Sequence, residues 1–259
     1  MPRFSANLGF LWQERTLPER IFAARDAGFT AVECHFPYDT DPKVISSALS
    51  ETGLKMLALN TYPGAVEQGE FGLCALPEKQ ERARQAIDQA VSYAAEIGAR
   101  RIHIMAGLSG DSNEATRCFM ENLIYASDQA AQHRLGLLIE PINRTDKPNY
   151  MLHRTQQAVD IIENLRTENA IDNIGLMFDC YHVQKTEGDI FSRLTAAMPY
   201  IAHIQIAAVP GRGEPDSGEV NYQWLFKQID EMNYQGYIGA EYVPVNSTDE
   251  GLDWLSPYL

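Results

Sequence analysis

Short apolar runs and helical stripes alternate about eight times along this chain of 259 residues, and that rhythm restricts the architectures open to it. The strand-like runs are FSANLGF from Phe4, AVECHF from Ala31, KMLALNT from Lys55 and RIHIMAG from Arg101 in the first half. LGLLIEPIN from Leu135, IGLMFDCYH from Ile174, IAHIQIA from Ile201 and YIGAEYV from Tyr237 complete the set. Between them, apolar residues recur at helical spacing: Ala83, Ala86, Ile87, Ala90, Val91 and Ala94 in one stripe, Ala158, Ile161, Ile162 and Leu165 in a second, and Leu225, Phe226, Ile229 and Met232 in a third. Gly28, Gly53, Gly98 and Gly236 stand where a left-handed cap would turn each helix into the next strand. Regular βα alternation implies a parallel sheet, and eight units favour closure into a single-domain (β/α)8 TIM barrel spanning residues 1–259.

An open doubly wound sheet is the other arrangement of such units. It finds no support in phosphate-binding turns: G-x-G-x-x-G is missing from the first βα turn, and G-x-x-x-x-G-K-[ST] is missing throughout. The longest irregular stretch, from Tyr62 to Pro77, carries three glycines and reads as a rim loop able to cover a site.

Four successive runs in the second half end in an oxygen-bearing side chain: Glu140, Asp179, Gln205 and Glu241. Any one alone reads as a rim charge or a helix cap. Together, at the carboxyl ends of neighbouring barrel strands about 5 Å apart, they converge on one mouth. Two Glu, one Asp and one Gln make a hard-oxygen donor set with three negative charges, which suits Mg²⁺ or Mn²⁺ better than zinc. His182, three positions after Asp179, is a candidate to bind substrate or the ion, and His103, at the end of the fourth run, to hydrogen-bond a substrate oxygen. Arg212, flanked by glycines in VPGRGEPDSGEVNY, is placed to pair with a substrate carboxylate, with Glu214 beside it. His35, His133, His153 and His203 read as packing or surface residues, as do Phe10, Trp12, Phe71 and Trp254.

A formal charge of −14 without a basic stripe excludes a polyanionic partner and leaves small molecules. Cys34, Cys74, Cys118 and Cys180 are scattered without the spacing of a zinc ribbon, redox dithiol or disulfide framework, as expected in a reducing cytoplasm. No run has membrane-spanning length. G-x-S-x-G and H-E-x-x-H are both absent, which leaves serine-hydrolase and zinc-protease chemistry without a basis. A homo-oligomer is compatible with such a barrel, although no sequence patch defines its interface.

With these residues in view, the chain resembles the hydroxypyruvate isomerase family, within the xylose-isomerase-like barrels that also include ketose 3-epimerases and endonuclease IV. The resemblance covers nearly the whole chain through FSANLGFLW, LNTYPG, RIHIMAG, LLIEPIN, FDCYHVQ, HIQIAAVPGRGEPDSGEVNY and GYIGAEY. It implies a metal held by Glu140, Asp179, Gln205 and Glu241, acid/base work by Glu140 and Glu241, and substrate contacts from His182, Arg212 and Glu214. The implied reaction interconverts hydroxypyruvate and tartronate semialdehyde, with 2-oxo-tetronate isomerisation or ketose 3-epimerisation as alternatives on the same metal and glutamates. Gln205 stands where endonuclease IV relatives have a histidine, so abasic-site cleavage is disfavoured. Val243 departs from the Lys, Arg or Gln that many relatives carry after the final Glu-Tyr pair, and the departure bears on which acid fits.

Overall fold

Residues alternate between two faces along most of each main strand, and this parity builds the molecule. The computed structural model describes residues 1–259 and contains nine parallel strands: β1 (Phe4–Asn7), β2 (Ala31–Glu33), β3 (Lys55–Met56), β4 (Ala58–Asn60), β5 (Arg101–His103), β6 (Gly136–Ile139), β7 (Ile174–Asp179), β8 (Ile201–Ile206) and β9 (Ile238–Ala240). They pair in the order β3-β2-β1-β9-β8-β7-β6-β5-β4. The eight expected runs are all present, and the ninth strand arises because the third run is broken at Leu57. Leu57 N donates to Val32 O at 2.8 Å while its carbonyl accepts from Arg101 N at 3.0 Å, so the interrupted run still bridges β2 to β5 and closes the ring. The result is a TIM barrel.

Helices α1 (Leu17–Asp26), α2 (Pro42–Thr52), α3 (Gln80–Ile97), α4 (Asn113–Ala131), α5 (Thr155–Asn169), α6 (Cys180–Thr186), α7 (Ile190–Ala197) and α8 (Tyr222–Glu231) connect the strands. The apolar stripes of α3 and α5 are buried throughout, and that of α8 is buried except at Met232, which is partly covered. Outward strand residues such as Phe4, Ala6, Val32, Ile102, Leu137, Ile139, Leu176, Phe178, Ile204 and Ile238 pack against these helices in one continuous core. Burying each such side chain contributes on the order of 1.5–3 kcal/mol, so the helix–strand layer holds the barrel shut.

Gly53 and Gly98 adopt the expected left-handed caps at φ 72° and 67°, and Gly28 turns at φ 91° two residues beyond the end of α1. The fourth expected cap is different. After α8 it is Asn233 that takes φ 57°, a conformation Asn tolerates, whereas Gly236 is not left-handed and is small because the Tyr234 hydroxyl lies against it.

A register shift between Leu176 and Met177 inserts one extra residue into β8, so that Asp179 pairs with Gln205. Without it Asp179 would oppose Ile204, and the two polar side chains would not lie level on one face. Gly175 makes room for this irregularity, since a Cβ there would stand 2.5 Å from that of Ala202. Inside the barrel, Gly239 plays a similar part for Glu33. A methyl group at Gly239 would fall 2.5 Å from Glu33 Oε1. Gly239→Ala should therefore destabilise the fold by about 1–3 kcal/mol in urea denaturation, the usual cost of overpacking; an unchanged midpoint would contradict this packing.

Candidate metal centre and active site

The inward parity of the strands places a column of polar side chains in the barrel lumen. Ser5 and Asn7 come from β1, Glu33 from β2, His103 from β5, Asp179 from β7, and His203 and Gln205 from β8, while Glu140 and Glu241 follow β6 and β9 directly; all are buried. The four predicted oxygen donors thus sit at the carboxyl ends of four adjacent strands. Asp179 also caps α6, with its side chain accepting from Tyr181 N at 2.8 Å. That bond fixes Oδ1 and turns Oδ2 into the lumen.

Glu140 Oε1, Asp179 Oδ2 and Gln205 Oε1 are buried acceptors with no hydrogen-bond partner. Buried polar atoms are nearly always satisfied, and three orphaned oxygens on three of the four expected donors are what a cation site requires. One ligand atom each from Glu140, Asp179 and His182 also lies within 4.8 Å of the others. The cluster could therefore hold a metal ion. Glu241 is engaged differently: Oε1 accepts from Arg212 Nη2 at 2.8 Å and Oε2 from Asn7 Nδ2 at 3.1 Å.

Charge crowding shows in the protonation equilibria. Burial, then the Glu241 and Asp179 carboxylates, push the Glu140 carboxyl well above its ordinary value. Asp179 rises to about 7 through burial and the Glu241 charge, with Arg212 pulling the other way. Burial would lower the Arg212 guanidinium, but Glu241, Asp179 and Glu140 outweigh it and hold the group more basic than usual. Three carboxylates against one guanidinium leave a deficit of two positive charges, which matches a divalent cation.

Arg212 is the roof of the site. Its guanidinium lies 4.8 Å from the Phe10 ring centroid and 4.9 Å from that of Tyr181, and Nη2 is 3.8 Å from Asp179 Oδ2. The flanking glycines were expected to provide the unusual backbone path, yet Arg212 itself takes φ 56°, at a cost of about 1–2 kcal/mol. Hydrogen bonds from Arg212 N to Ala208 O at 2.7 Å and from Val243 N to Arg212 O at 2.8 Å hold it there.

His182 and His103 flank Glu140. His182 Nε2 lies 3.7 Å from Glu140 Oε1 and 3.6 Å from Asp179 Oδ2, and His103 Nδ1 lies 3.6 Å from Glu140 Oε2. Burial, then the Arg212 charge, depress the His182 imidazolium well below its ordinary value, and burial with His35 brings His103 to about 3, so both are neutral at physiological pH. Asn143 sets the His182 tautomer. Its Oδ1 accepts from Asp146 N at 2.9 Å, so Nδ2 is the end facing His182 Nδ1 at 2.6 Å. An Nδ1 that accepts leaves the proton on Nε2, which in this arrangement makes His182 a hydrogen-bond donor into the site.

Glu214 is not brought to this cluster; its Oε1 accepts from Val245 N at 3.0 Å and ties the loop after β8 to the segment after β9. Two residues read as packing side chains do reach the site: His35 Nε2 is 3.6 Å from Glu241 Oε1, and the Phe10 ring supports Arg212. Trp12 and Trp254 are core residues, and Phe71 packs against Tyr150. Ser5, Asn7, Glu33 and Asn143 were given no individual role by the sequence. Strand parity was the available signal for the first three, since each shares the inward face with a recognised donor.

Asp146 anchors the bracket behind His182, accepting from Lys185 Nζ at 2.5 Å, Tyr181 OH at 2.8 Å and Asn143 Nδ2 at 3.0 Å. Burial opposes its charge, but the Lys185, Asn143 and Tyr181 hydrogen bonds prevail and hold the carboxyl down to about 2. Against an unfolded value of about 4, the stabilisation is complete above that pH and is lost as pH falls toward the folded value. The deficit in melting temperature of Asp146→Asn relative to the wild type should accordingly be full near neutrality and shrink on acidification through this window. A deficit independent of pH would contradict the assignment.

Comparison with known proteins agrees with this geometry. Residues 21–258 match the family model described as xylose isomerase-like TIM barrel. The chain is 43% identical to a 2-oxo-tetronate isomerase of Cupriavidus necator over 100% of its own length and 99% of the relative's. It is 41% identical to a putative hydroxypyruvate isomerase of Homo sapiens, covering 99% and 95% of the two chains. The crystal structure of an AP endonuclease, family 2, from Brucella melitensis superposes with a TM-score of 0.94 at 36% identity, covering 100% and 99%. The chain belongs to the xylose isomerase-like TIM barrel family.

Proposed function

We propose that this chain is an isomerase of small 2-oxo acids that carry an α-hydroxyl group, interconverting hydroxypyruvate and tartronate semialdehyde. The observation that carries this reading is the set of buried, unpartnered oxygens of Glu140, Asp179 and Gln205 beneath the Arg212 guanidinium. Isomerase relatives that match along the full chain support it. Glu140, Asp179, Gln205 and Glu241 would hold Mg²⁺ or Mn²⁺, which when bound acidifies the carbon beside the substrate carbonyl and stabilises the enediolate charge.

The remaining work falls to the protein. Arg212, flanked by the Phe10 and Tyr181 rings, pairs with the substrate carboxylate. Neutral His182 donates Nε2–H to a substrate oxygen. Glu241 takes the proton from the third carbon, and Glu140, the other glutamate of the pair, returns one to the second. The hydroxyl proton on the third carbon's oxygen moves to the second carbon's oxygen, so the ketone becomes an alcohol and the alcohol an aldehyde. Exchange with solvent resets the two glutamates.

The second reading is a 2-oxo-tetronate isomerase, favoured by the 43% identical relative of that name. The same hydroxycarbonyl chemistry serves it. At the rim, Val243 is 48% exposed beside the Arg212 backbone, and it offers no polar group to select between the two acids. Abasic-site cleavage is opposed by the net charge of −14. Four buried, unpaired cysteines accord with a reducing cytoplasm, and no helix is long and apolar enough to cross a membrane.

Turnover in heavy water should carry deuterium into the second carbon of tartronate semialdehyde, read by NMR, with hydroxypyruvate and 2-oxo-tetronates compared side by side. The absence of both exchange and turnover with all of these acids would overturn the proposal. Glu241→Gln should keep the melting profile and lose turnover by roughly the 10²–10⁴-fold ascribed to general acid–base catalysis. A variant as fast as the wild type would remove Glu241 from proton transfer. Arg212→Ala should chiefly raise KM for these acids, and an unchanged KM would move carboxylate recognition elsewhere.

A further inference from the structure

Below the proposed metal donors lies a carboxylate that takes no part in the reaction. Glu33 ends β2 at 2% exposure, and four donors converge on it. Oε1 accepts from Asn7 Nδ2 at 3.1 Å and Gln205 Nε2 at 2.8 Å, while Oε2 accepts from Ser5 Oγ at 3.1 Å and His203 Nε2 at 2.5 Å. Burial opposes its charge, yet His203, Gln205 and Ser5 together hold the group below the usual carboxylate value. Gly239 leaves the space it occupies.

Two of its partners are amides, and an amide has two ends of the same shape and opposite polarity. Gln205 commits Nε2 to Glu33, which leaves Oε1, buried and unpartnered, as the end available to a cation. A rotated amide would present N–H groups to the ion, which repel it. Asn7 is fixed likewise: Oδ1 accepts from Gly9 N at 2.8 Å, and Nδ2 is shared between Glu33 Oε1 and Glu241 Oε2, both at 3.1 Å. One buried charge therefore orients the amide donor and is tied through Asn7 to the last glutamate.

We propose that Glu33 is a positioning residue of the metal centre, holding the Gln205 amide with its oxygen toward the ion. This rests on the reading of Glu140, Asp179, Gln205 and Glu241 as cation donors. The alternative role for Glu33 is structural, as a buried hydrogen-bonded pair with His203 that supports the barrel without influencing the donors.

The test is a double-mutant cycle at Glu33 and Gln205, read by Mn²⁺ affinity from the electron paramagnetic resonance signal of the free ion, with metal-free melts confirming folding. Glu33→Gln keeps an acceptor oxygen for Asn7 and Gln205 and turns its amide toward the Ser5 hydroxyl and a His203 protonated on Nδ1, so affinity should stay near that of the wild type. Gln205→Glu sets two carboxylates against each other and should weaken binding by about tenfold or more, the range seen for lost outer partners of metal ligands. Combining the two lets residue 33 donate to residue 205 and should recover most of that loss. Glu33→Met, which keeps the chain length and removes both acceptors, should also weaken Mn²⁺ by about tenfold and tests the claim should Gln205→Glu not fold. Equal effects of Glu33→Gln in both backgrounds, or a folded Glu33→Met with wild-type affinity, would overturn the positioning role alone. A wild-type protein that does not take up Mn²⁺ would overturn the metal centre and this role together.

Discussion

Three carboxylates at one end of a barrel lumen repel each other strongly once water is excluded, and the upper half of this structure is organised around that repulsion. Arg212 accepts a left-handed backbone conformation to bring its guanidinium within 2.8 Å of Glu241 and 3.8 Å of Asp179. Two aromatic rings flank it, and loop backbone bonds to Ala208 and Val243 fix its approach. The guanidinium neutralises one charge of three. Protonation of Glu140 and Asp179, which burial favours, and a divalent ion compete for the rest. A site with such a deficit could hold a cation, and the proposed pairing of that cation and the same arginine with an anionic substrate suits an α-hydroxy-oxo acid.

The barrel was legible because its signal is repeated. Each strand is apolar on its helix-facing side, each helix carries a stripe, and eight repetitions of the pair admit few topologies. Details set by a single contact were less so. The break at Leu57 depends on hydrogen bonds to Val32 and Arg101, which no local pattern announces. Gly236 looked like a cap in sequence, but Asn233 closes that helix, and the glycine's smallness answers a tyrosine hydroxyl. The shift in β8 that levels Gln205 with Asp179 is likewise a tertiary feature.

Within the site, residues at the ends of strands were recognisable because position along a barrel strand carries meaning. Glu140, Asp179, Gln205 and Glu241 come together on the expected mouth, with His103, His182 and Arg212 around them. Glu214 lay in the same loop as Arg212, but a loop has no parity, and its side chain turns to Val245. Glu33 was passed over although it ends a strand, since three inward positions of that strand and its neighbour are needed to see that Ser5, Asn7 and Glu33 share one face. His35 illustrates the opposite difficulty. It lies in the run AVECHF on the parity of Glu33 but beyond the end of β2, and it approaches Glu241 across Gly9, where a side chain would overlap the imidazole.

Four inward oxygens on adjacent strands are proposed to share one divalent ion beneath Arg212, and a crystal grown with Mn²⁺ and imaged by anomalous scattering at the manganese edge tests this. A single strong peak is expected in the barrel mouth, bonded to Glu140, Asp179, Gln205 through its amide oxygen, and Glu241. A peak bound elsewhere, or a mouth with no anomalous density in protein saturated with manganese, would contradict it.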